Sequence, residues 1–148
     1  MSSVAEQFCA VVQGALLGAT DAADRVYRRR IDAYDASELP AIEIHRGEWP
    51  LSQWGQGVDR GPAELRVSFV VADGLTAETT LDALHMQAHA VLMACPDLAS
   101  VGSGLHCTGT LEPEVAPGEP DVARMTATYQ LQTLISAADL SRRFRSAT

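Results

Sequence analysis

The sequence predicts an α+β domain: a single, mostly antiparallel β-sheet with its helices packed on one face. Three observations lead there. Residues 64–72 (ELRVSFVVA) and 122–135 (VARMTATYQLQTLI) alternate apolar and polar side chains, the period of half-buried strands. Residues 4–17 and 81–95 instead place apolar side chains three and four apart, the spacing of an amphipathic helix. The order is helix, two strands, loop, strand, helix, two strands, helix, which joins strands through turns and sets the helices apart.

Ser3 and Glu6 form a capping-box pattern for the first helix, whose apolar face is Val4, Phe8, Val11, Val12 and Ala15, with Gly18 as its stop. Residues 25–31 read as a strand, because a helix would crowd arginines three and four apart. The AIEIHR stretch, 41–46, alternates Ile42 and Ile44 with Glu43 and His45, and Pro40 introduces this strand without interrupting it. Residues 46–62 hold four glycines, two prolines and both tryptophans without periodicity, and read as a long loop. Trp49 and Trp54 are there either as an interaction arm or as rings folded back onto the core. Asp73-Gly74 marks a turn, Thr79 or Thr80 caps the second helix, and Pro96 ends it. A strand over 105–111, a proline-rich loop over 112–120 and a short C-terminal helix bearing arginines complete the chain.

At 148 residues the chain is expected to form one domain, 1–148, with enough bulk for a core without disulfides or metal. No apolar run approaches a membrane span, and the first twenty residues lack the positive start of a signal peptide, so a cytosolic start is expected. Cys9, Cys95 and Cys107 are odd in number and lack CxxC spacing, which points to free thiols. All eleven basic residues are arginine. They cluster at Arg25, Arg28, Arg29 and Arg30 and again at Arg142, Arg143 and Arg145, within a chain of net charge −8. An acidic remainder repels phosphate, so the clusters fit an acidic protein surface better than nucleic acid.

Three constellations invite chemistry. His85 and His89 have the i, i+4 spacing of a helical zinc pair, but Gln87 stands among the intervening residues where a general base would be a glutamate, and a third ligand would have to be His106 or Cys107. That leaves a small metal-dependent hydrolase as a distant alternative. Cys107 adjoins His106, yet alternation along a strand sends the two side chains to opposite faces. There is no GxSxG, Walker-type or GxGxxG motif. No catalytic residue, metal site or cofactor is expected.

Read in order, the landmarks resemble the tail terminator proteins of long-tailed phages, the lambda minor tail protein U type. They are the N-terminal helix; VYRRRIDAYDASELPAIEIHRGE, whose Leu-Pro-Ala-Ile enters a strand; the variable loop; DRGPAELRVSFVVAD; LDALHMQAHAVLMACPDLASVGSGLHCTGTLEPEV; and the tyrosine-bearing ATYQLQTLIS. The resemblance covers nearly the whole chain and lies in this order, not in catalytic residues. It implies a non-enzymatic subunit of the virion tail, assembled in the host cytoplasm into a homo-oligomeric ring, a hexamer in the family. The ring caps the tail tube protein, stops its polymerisation and offers a docking surface to the head-tail connector protein. It implies no membrane association and no sequence-specific nucleic-acid binding. Another neck component, a connector or stopper, is the alternative within the same biology. The residues expected to make protein contacts are Arg28, Arg29, Arg30, Trp49, Trp54, Arg142 and Arg143, with Arg28, Arg29 and Arg30 set against an acidic surface of the next subunit or of the tube.

Overall fold

A computed structural model describes residues 2–30 and 32–144. Ile31 and Arg145, both named above, lie outside the described residues. The elements are α1 (Val4–Leu16), β1 (Val26–Tyr27), β2 (Ala41–Arg46), β3 (Ser52–Gly55), β4 (Val58–Ala72), α2 (Ala77–Met93), β5 (Ser103–Thr110), β6 (Glu114–Ala116), β7 (Val122–Ser136) and β8 (Asp139–Arg143), with short 3-10 turns at Ala36–Glu38 and Pro96–Ser100.

The eight strands form one sheet, whose central path is β1-β2-β4-β7-β5. Its axis is an antiparallel ribbon in which all 15 residues of β4 pair with β7, from Val58 opposite Ser136 to Ala72 opposite Val122. The outer edge of β4 carries β3 and then β2, and the outer edge of β7 carries β8, β5 and β6. Only β1 and β2 run parallel among the described strands. Period two along the ribbon sends the odd residues Ala63, Leu65, Val67, Phe69 and Val71 of β4 and Ala123 to Ile135 of β7 to one face. Both helices lie over that face, where Phe8, Val12 and Leu16 of α1 and Leu81, Leu84, Ala88 and Leu92 of α2 join the same buried cluster. The expected α+β arrangement with helices on one face is the observed one.

The Ser3 hydroxyl accepts from the Glu6 amide at 3.2 Å, and α1 stops where Gly18 takes a φ of +73°. The cap of α2 differs from expectation. Its N-cap residue is Thr76, which makes no side-chain capping bond, while Thr80 lies inside the helix and its hydroxyl donates back to the Thr76 carbonyl at 2.9 Å.

Four other expectations are corrected. Most of the stretch read as a loop at 46–62 is strand: β3 and the first residues of β4 form a hairpin around Gln56-Gly57, with Gly57 at φ +72°. Gly61 permits this, since a Cβ there would lie 1.8 Å from the Pro50 carbonyl oxygen that crosses it. The expected C-terminal helix is instead β8, folded back on the end of β7 and held by Gln7 of α1, whose amide donates to the Ser141 carbonyl at 2.9 Å. A short strand, β6, lies within the proline-rich loop and pairs with Val122–Arg124. The strand expected over 25–31 narrows to Val26 and Tyr27, which pair with Ile42 and Glu43 of β2, and the arginine that follows leaves the ladder to reach Glu6 of α1.

Candidate assembly surface

Arg30, Tyr34 and Leu39 lie on the sheet face that the helices leave uncovered. There Ala41 and Val70 form a small second cluster with Tyr34, flanked by Tyr27, Leu39 and Val122. Beside it the Glu43 carboxylate, only 2% exposed, gathers three partners. The Tyr34 hydroxyl donates to it at 2.6 Å, Arg124 at 2.9 Å and His45 Nε2 faces it at 3.1 Å. Burial pushes the Glu43 carboxyl up, but the bonds from His45, Arg124 and Tyr34 outweigh it and bring the group down to about 2. Burial, together with the same contact to Glu43, pushes the Tyr34 phenol well above its ordinary range. This buried carboxylate and its donors escape sequence reasoning, since Glu43 has the spacing of a solvent-facing residue in a half-buried strand.

Arg30 closes this hub from above. Its guanidinium lies 4.3 Å from the Tyr34 ring centre and 5.2 Å from that of Tyr27, and it bonds the Glu38 carboxylate through both terminal nitrogens at 2.6 and 2.8 Å. Arg28 reaches α1 instead, pairing with Glu6 at 2.5 Å. This pairing lowers the Glu6 carboxyl, while the buried Arg28 Nε has no hydrogen-bond partner among the described residues. The Arg25 Nε donates to the Pro40 carbonyl at 2.8 Å. Arg29 alone of the four is exposed, and among the described residues it makes no ion pair. Three of the four cluster arginines thus fasten the segment to its own subunit and one faces outward. In the second cluster Arg142 is exposed, and the Arg143 guanidinium donates to the Ala99 carbonyl.

The two tryptophans divide between the two readings left open for them. The Trp49 indole N–H donates to Thr133 Oγ1 at 2.9 Å and its ring packs against the main core, with the Arg46 guanidinium 5.8 Å from the ring centre. Trp54, on β3, is 55% exposed. It lines a cleft of about 350 Å³ together with Arg60, Leu134, Arg143 and Phe144.

The histidines have a structural partner. Fully buried Tyr129 sends its hydroxyl between them, 3.1 Å from His85 Nε2 and 2.8 Å from His89 Nδ1. A hydroxyl donates one hydrogen and still accepts another, so it can bond both neutral rings at once. Burial and the neighbouring His89 hold His85 below its ordinary range, favouring that neutral form. His106 is exposed, its Nδ1 3.1 Å from the Gly104 carbonyl, while Cys107 packs toward the core across from Tyr129. Strand alternation therefore separates His106 from both the helix pair and Cys107. Among the described residues no three His, Cys, Asp or Glu side chains are gathered as metal ligands. Burial raises the Cys9 thiol, leaving it a packing residue. No helix among the described residues is long and apolar enough to cross a membrane.

No protein-family model and no curated protein matches the chain. Among solved structures it is similar to a chain of the virion of a native gene transfer agent particle, at 15% identity and a TM-score of 0.34, covering 88% of this chain and 90% of that one. A likeness at that level transfers no role from that particle to this chain.

Proposed function

We propose that the chain is a structural, non-enzymatic subunit of a phage or phage-like particle, and within it the tail terminator: a ring that caps the tail tube, halts its growth and receives the head. The order of sequence landmarks carries this reading. Each corresponds to an element of the fold: α1, the entry of Leu39-Pro40 into β2, the ribbon strand β4, α2 leading to β5, and the tyrosine-bearing β7. Uncovered apolar side chains add support, since Trp54 and Leu140 lie at one end of the ribbon and Leu75, Leu111 and Val115 at the other. A subunit of a closed ring needs two different contact surfaces of this kind.

Deletion of the coding sequence from a particle-producing strain tests the reading through tail length in electron micrographs. Overlong tails are expected. Tails of normal length without heads would make the chain a connector or stopper instead.

A further inference from the structure

The two ends of the β4–β7 ribbon differ in charge as well as in position. At the Val58 end, the cleft beside Trp54 carries Arg60 and Arg143, with exposed Arg142 close by on β8. Arg60 and Arg142 make no ion pair among the described residues. The acidic groups along the strands here are Asp59 and Asp139, and the Asp139 carboxylate already accepts from the amide and hydroxyl of Ser141.

At the Ala72 end, residues 111–121 (LEPEVAPGEPD) hold Glu112, Glu114, Glu119 and Asp121 and no basic residue. All four are exposed, and none has an ion pair among the described residues. The two nearby cations, Arg30 and Arg124, are held by Glu38 and Glu43. Between the acids stand Leu111 and Val115, 62% and 57% exposed. Among the described residues strand β6 pairs with β7 alone, so its outer edge presents unpaired backbone groups.

A basic, apolar cleft and an acidic, apolar edge therefore lie at opposite ends of a ribbon roughly 45–50 Å long at strand spacing. They cannot meet within one chain, but they complement one another between two copies. We propose that the 111–121 segment of one copy seats on the cleft of the next, with Val115 against Trp54 and Glu114 facing Arg60. The contact is head-to-tail and so repeats from copy to copy. It rests on the subunit reading above and names the surfaces through which that subunit meets itself.

The test is sedimentation velocity and native mass measurement on the full chain over a range of concentrations. The unaltered chain is expected to form a multi-copy species. Arg60→Glu and Glu114→Arg should each weaken assembly by about tenfold or more, since each sets like charges together. An equimolar mixture of the two variants should assemble again, because every contact then joins unlike charges. Trp54→Ala should weaken assembly while leaving the melting temperature unchanged. An unaltered chain that stays monomeric, single variants that assemble like it, or a mixture that stays apart would each overturn the proposal. If the lone chain is monomeric but Trp54→Ala abolishes its attachment to particles, another particle protein occupies the cleft and the second-copy contact is wrong. Normal tail length on deletion would reject the terminator reading and leave this contact standing, whereas overlong tails combined with charge-insensitive assembly would reject the contact alone.

Discussion

The two faces of the sheet are held by different forces. On the helix side, alternate residues from Ala63 to Val71 of β4 and from Ala123 to Ile135 of β7 are buried against α1 and α2, and nearly all of them are apolar. On the other side Arg30, Tyr34 and Leu39 lie over a small apolar cluster and one buried carboxylate. The first face depends on area removed from water and tolerates changes of similar volume. The second depends on directed bonds, so the loss of one partner leaves the others buried and unsatisfied. The arginine-rich segment is thus mainly a cover for its own sheet.

The largest expected loss is on the helix face. Phe69→Ala removes a fully buried ring and should cost about 3–5 kcal/mol in urea unfolding. Glu43→Gln should cost less, about 2 kcal/mol, because Arg124, with 35% of its side chain exposed, can still reach water while Tyr34 and His45 lose their charged acceptor. The same carboxyl sets an acid dependence. Its folded-state value is lowered from 4.5 to about 2, so its contribution is present above the unfolded value and is lost as pH falls through that window. Melting temperature followed between those limits should fall more steeply for the unaltered chain than for Glu43→Gln, and equal slopes would refute the assignment. Tyr129→Phe keeps the packing of the ring but leaves His85 and His89 without their shared hydroxyl, for about 1 kcal/mol by the same unfolding measurement. Arg29→Ala should change stability by less than about 0.5 kcal/mol, in contrast with Arg28 and Arg30.

The helix face was legible in the sequence because alternation and helical spacing are local. Val67, Phe69 and Val71, or Leu81, Leu84 and Ala88, announce their burial within a few neighbours. The far face was not, since Glu43 and Arg124 are 81 positions apart and only the pairing of β2 and β7 with β4 brings them together. The same limit hid the role of the histidines, whose partner Tyr129 lies 44 and 40 residues away. The β3–β4 hairpin was obscured by its own glycines, which look like loop residues until the Pro50 carbonyl crossing Gly61 is seen. Strand β8 has too few residues for its period to separate it from a helix, and its pairing with the end of β7 decides the matter. Of the residues expected at protein contacts, Arg29, Trp54 and Arg142 are exposed, while Arg28, Arg30, Arg143 and Trp49 have partners within their own chain.

The pairing of β4 with β7 continues through 15 residues without a bulge. Bulges are where a ladder bends and its twist changes abruptly, so this pair behaves as a straightedge with a fixed screw. For copies joined end to end, that screw would set the turn between one neighbour and the next, and the curvature of the assembly would be written into strand geometry before any contact forms.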